Sequence, residues 1–92
     1  MQQWTQDEAI AFECAREAIT HMMAIQSTEI ADESAKAQPD ADRVASLFAE
    51  RSRLASERAA LHVTDTVDIA RIRIEYGATV RAWNEKPRDI ST

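Results

Sequence analysis

Between Asp40 and Trp83 the apolar residues keep one helical phase. Val44, Leu47, Phe48, Leu54, Ala55, Leu61, Ile69, Ile72, Tyr76, Val80 and Trp83 fall within roughly 140° of arc at about 100° per residue. No Pro or Gly interrupts the stripe before Gly77. Such a stretch reads as one long helix, or as two helices joined without a loop. A strand at 71–76, where Ile72, Ile74 and Tyr76 alternate with Arg and Glu, is the rival reading. It finds no second strand to pair with anywhere in the chain.

The preceding segment carries its own helix signals. Thr5 and Glu8 have the spacing of a capping box, in which each side chain accepts from the other's backbone amide. Asp7 and Glu8 also suit the positive end of a helix dipole. Trp4 precedes the cap and is placed to pack back on the first turn. A first helix is predicted over about 6–35, with its stripe at Ala11, Phe12, Ala15, Ala18, Ile19, Met22, Met23 and Ile25. Pro39 biases Gln38 away from helix, and Asp40 is an N-cap type, so a turn is predicted over 36–40. The second helix then spans about 41–84, with a kink or break allowed at 62–67, where β-branched and N-cap residues gather. Residues 87–92 are expected to be a flexible tail, leaving 1–86 as a single helical domain.

The fold class expected is therefore all-α: a long antiparallel helical hairpin, dimerising into a helical bundle. The alternative is a monomeric three-helix bundle. In a hairpin, residue i of the first helix faces roughly residue 77−i of the second. This sets Gln26 and Glu29 near Arg51, and Glu33 near Val44. The first helix then runs out at about Arg71. Ile69, Ile72, Tyr76, Val80 and Trp83, with Trp4, are left needing cover, and they are the interface residues predicted for a homodimer. Val67, Ile74 and Ala78 fall on the opposite face of the same segment, where burial again requires an assembly.

Composition narrows the function classes. The chain is 92 residues long, 45% apolar and 29% charged, with one Gly and one Cys. A lone cysteine excludes an internal disulfide, and Cys14 reads as a buried, inert core residue. No apolar run reaches the ~18 residues needed to span a bilayer. Met1–Thr5 has neither a basic nor an apolar leader pattern, so a cytoplasmic location is expected, in a bacterial system. The net charge of −5 opposes non-specific nucleic-acid binding. The acidic first half and arginine-rich second half are expected to lie against each other.

Three constellations could carry chemistry. Glu17 with His21, and His62 with Asp65, each share a helix face and could combine into a metal site, although the Glu-x-x-His spacing of bundle metal sites is absent. Glu29, Asp32 and Glu33 stand several turns from Asp65 and Asp68 in the hairpin register, too far to share a cation. Arg71, Arg73 and Arg81 form a basic row interleaved with Asp68, Glu75 and Glu85. No nucleophile–base pair and no phosphate-cradling Gly-rich loop occurs. The expectation is a small non-catalytic protein-interaction or regulatory module, with no cofactor and no resident metal, acting as a homodimer with a further protein partner. The competing class is a nucleic-acid-related role, either binding through the arginines or mimicking DNA through the acidic helix.

Overall fold

The computed structural model describes residues 4–86; the predicted tail at 87–92 lies outside them. Three α-helices account for the described residues, with no strand: α1 (Gln6–Ser34), α2 (Ala41–Ala60) and α3 (Thr66–Glu85). Helix α1 starts at the capping box. Thr5 Oγ1 accepts from the Glu8 amide at 3.1 Å, and Glu8 Oε1 accepts from the Thr5 amide at 2.7 Å. A cap of this kind contributes about 1 kcal/mol.

The turn after α1 is closed by a buried carboxylate. Glu33 is 5% exposed. Its Oε2 accepts from the Asp40 amide at 3.0 Å, and its Oε1 accepts from Lys36 Nζ at 2.9 Å. Asp40 in turn caps α2, accepting from the Arg43 amide at 3.1 Å. The bond from the Asp40 backbone, and then the Lys36 ammonium, hold the Glu33 carboxyl below its ordinary range. Replacing Glu33 by Gln should weaken this clamp and speed hydrogen exchange at the Asp40 amide. The check is exchange measured by NMR at neutral pH, where Glu33 is ionised. An unchanged Asp40 rate would show that the clamp does not hold the turn.

Helix α2 returns antiparallel to α1. Arg43 meets Glu29 at 3.1 Å, Arg51 Nε donates to Ser27 Oγ at 2.8 Å, and Arg58 donates to Thr20 Oγ1 at 2.8 Å. These pairs follow roughly the 77−i register. In detail, Arg43 rather than Arg51 takes Glu29, while Arg51 bonds Ser27, the residue after Gln26.

The second helix is not continuous. Helix α2 stops at Ala60 and α3 starts at Thr66, which corrects the expectation of one helix over about 41–84. His62 and Asp65 close the turn between them. The His62 amide donates to Asp65 Oδ2 at 2.9 Å, and the Asp65 amide donates to the His62 carbonyl at 3.0 Å. Helix α3 then folds back and runs parallel to α1: Thr66 and Ile69 lie beside Glu8 and Ala11, while Val80 and Trp83 lie beside His21, Ile25 and Thr28. The gain is burial. A straight helix would leave Ile69, Ile72 and Tyr76 uncovered by the single chain, and burying such side chains stabilises by about 1.5–3 kcal/mol each.

Helix α1 is thus the spine, and its face at Ala15 and Ile19 receives both partners. Ala15, Ile19, Leu54, Leu61, Ile69, Ile72 and Tyr76 form the core, with Phe12, Met22 and Met23 packed against it. Small Ala11, Ala15 and Ala18 allow close approach. No Cα of α2 comes within 8 Å of one in α3; these helices meet through long side chains. The result is an elongated body of 56 × 25 × 17 Å. Phe48, counted in the stripe, is an exposed residue, because it sits at the edge of the arc that α2 turns toward α1.

Candidate interaction surface

Helix α3 has two apolar faces. The inner one carries the predicted interface residues. Ile69, Ile72 and Tyr76 are buried against this chain's own α1, so in this form they present nothing to a second molecule. Val80 and Trp83 are half-buried and line a cleft with His21, Ile25 and Thr28; Lys86 Nζ stands 5.7 Å from the centre of the Trp83 ring. Trp4 is exposed at the other end of α1. It lines a groove with Phe12, Leu61, His62 and Val63. The six residues therefore divide among the core, one cleft and one distant groove.

The outer face is the one left open. Val67 is 82% exposed and Ile74 is 71% exposed, with Ala70 and Ala78 exposed between and beyond them. Ala70, Arg73, Ile74, Ala78 and Arg81 line a shallow groove along this face. Its spacing at 67, 70, 74 and 78 is that of a helix face built to lie on another surface. Arg71 is engaged elsewhere, with Glu57, Asp68 and Glu75. Arg73 and Arg81 form no ion pair among the described residues, so the predicted basic row is reduced to two available guanidinium groups flanking the apolar strip.

Between α2 and α3 sits a polar cluster that periodicity could not reveal. Tyr76 Oη donates to Glu57 Oε1 at 2.6 Å, and Arg71 Nη2 donates to Glu57 Oε2 at 2.8 Å. Arg53 reaches Tyr76 Oη at 3.3 Å and is held from its other side by Glu50 at 2.6 and 2.9 Å. Burial pushes the Glu57 carboxyl up, but the bonds from Tyr76 and Arg71 outweigh it and hold the group below its ordinary range. Both guanidinium groups are correspondingly raised, Arg53 chiefly by Glu50 and Arg71 chiefly by Glu57. A Tyr seven residues after Ile69 and an Arg–Glu pair at i, i+4 were the visible signals, but they do not specify each other as partners.

The other constellations do not assemble. Glu17 and His21 approach to 4.0 Å on α1, while His62 lies by Trp4 and Phe12 at the far turn. Among the described residues no three His, Cys, Asp or Glu side chains are grouped to hold a metal ion. Glu29 and Glu33 are occupied by Arg43, Asp65 by His62, and Asp68 by Arg71. Cys14 is exposed rather than buried. It lines an α1–α3 groove with Glu17, His21, Arg73 and Gly77, one step around the helix from the core residue Ala15. No described helix is long and apolar enough to cross a membrane. Compared with protein-family models, curated proteins and solved structures, the chain matches none.

Proposed function

We propose that this chain is a small non-catalytic interaction module of the cytoplasm, and that the outer face of α3 is its docking surface. The observation that carries the reading is the exposure of Val67 and Ile74 on one strip, flanked by Arg73 and Arg81. Two large aliphatic side chains held in water by a well-packed helix gain by covering. The two flanking guanidinium groups define the occupant: a protein surface, such as an amphipathic helix, with an apolar centre and carboxylates at its rim. Rim charges of this kind set the rate of encounter and select the partner more than they add affinity.

Ile74→Glu is the decisive variant. Ile74 makes no core contact, so the variant should fold with stability within about 0.5 kcal/mol of the parent. In capture experiments from the native host, proteins held by the parent at the α3 face should be lost with Ile74→Glu and weakened by Arg73→Glu. The same set of captured proteins with both variants would remove α3 as the docking face. A gel-shift titration covers the nucleic-acid class: binding that appears at low salt and falls steeply as salt rises would replace this reading.

A further inference from the structure

The turn between α2 and α3 holds together two segments whose buried residues already match a single helix. Leu47, Leu54, Leu61, Ile69, Ile72 and Tyr76 are the buried apolar residues of this half of the chain. On a continuous helix they would fall within about 80° of arc at 100° per residue. We propose that α3 is exchanged between two copies of this chain: residues 61–65 straighten, α2 and α3 run on as one helix, and α3 of each copy takes its place on α1 of the other.

The topology permits it. Helix α3 runs parallel to α1 and antiparallel to α2. A straightened α2–α3 helix projects past the N-terminal end of α1. A second copy turned end for end delivers its own α3 onto this α1 in the direction that α3 now runs. Every core contact of α3 is then remade between copies, as are the bonds of Tyr76 and Arg71 to Glu57, while α1 and α2 of each copy stay packed on each other. The turn itself offers little resistance. It contains no Gly and no Pro, and no residue of positive φ occurs in the described chain. Asp65 makes no side-chain bond to the start of α3; its carboxylate is spent on His62. Closed and exchanged forms thus differ only in the turn and in the entropy of association, the condition under which swapping is a low-cost route to a dimer. The β-branched Val63, Thr64 and Thr66 favour the closed form; concentration favours the exchanged one. This inference is independent of the docking face, since Val67 and Ile74 point away from α1 in both forms.

Two opposed variants test it. Val63 is the second residue of the turn closed by the Asp65 amide and the His62 carbonyl, a position that Pro favours, whereas Pro inside a helix costs about 3 kcal/mol. Val63→Pro should therefore stay monomeric at every concentration. The triple variant Val63→Ala, Thr64→Ala and Asp65→Ala favours straight helix and should show a doubled mass by light scattering over about a hundredfold range of concentration. Adding Ile74→Glu to the triple variant should leave the doubled mass intact, which distinguishes exchange from pairing through the outer face. A helical triple variant that remains monomeric throughout overturns the proposal, as does loss of its doubled mass on adding Ile74→Glu. A triple variant that does not fold also counts against it, because straightening removes no core contact. If Val63→Pro fails to fold by circular dichroism, the alanine variant decides alone.

Discussion

Ile72→Ala is expected to cost about 2–5 kcal/mol of folding stability, the range for emptying a fully buried aliphatic site. Ile72 has no exposed surface and sits where α3 lies on α1. For a domain of this length the whole stability is about 5–15 kcal/mol, and each kcal/mol shifts the melting temperature by about 4–8 °C. A fall of about 8–40 °C is therefore expected. The loss should be the same at every protein concentration, because closed and exchanged forms bury Ile72 in the same place. Trp83→Ala should cost less, since Trp83 is only half-buried at the end of α3. Thermal melts of the parent and both variants check this. An Ile72→Ala variant that melts like the parent would mean that α3 does not lie on α1, since Ile72 on an uncovered straight helix has nothing to lose.

The turn at 36–40 was readable because its residues act locally. Pro39 restricts Gln38, and Asp40 caps α2 whatever lies elsewhere in the chain. The break at 61–65 was not readable in the same way. Helix periodicity reports which residues share a face, and that face is the same whether α2 and α3 are straight or folded back. What breaks the helix is a non-local gain: the face of α1 at Ala15 and Ile19 receives α2 and α3 together. The β-branched residues and Asp65 marked the place where a break is cheap, and the burial of Ile69, Ile72 and Tyr76 decides that it occurs. Glu33 shows the converse limit. In the sequence it stands as one of the acidic group Glu29, Asp32 and Glu33, yet it is buried because its two oxygens are both used in closing the turn.

The candidate surface was legible in part. Val67, Ile74 and Ala78 stand out as apolar residues on the wrong side of α3, and the fold leaves them exposed. The inner residues of α3 need cover that a two-helix hairpin cannot give; in the described fold α3 lies with α2 on the face of α1 at Ala15 and Ile19, and Ile69, Ile72 and Tyr76 are covered there. Cys14 and Phe48 were misplaced for a simpler reason. Both lie at the rim of their stripes, where a rotation of a few tens of degrees separates core from solvent, and periodicity does not resolve that angle.

Removing Glu57 is the second large effect expected. Glu57 accepts from Tyr76 and Arg71 together, and Arg53 Nη1 lies 3.6 Å from its Oε1. Hydrogen bonds to a charged group contribute about 1.5–3 kcal/mol net, and Glu57→Ala should cost an amount in this range because it leaves a phenol and two guanidinium groups without their shared acceptor. Tyr76→Phe removes one bond and keeps the ring, so it should cost about 0.5–1.5 kcal/mol. The two losses should not add, since both delete the same Tyr76–Glu57 bond. The pH dependence has a definite sign. The carboxyl is held below its ordinary range in the folded chain, so its charge contributes fully above the unfolded value of about 4.3 and is lost as pH falls through the lower folded value. Glu57→Gln has no such charge to lose. Its stability deficit relative to the parent should therefore be largest near neutral pH and shrink in acid. Denaturant unfolding of parent and Glu57→Gln at a series of pH values measures that difference directly. A deficit that stays constant from neutral pH to the acid limit would show that the charge of Glu57 does not stabilise the α2–α3 contact.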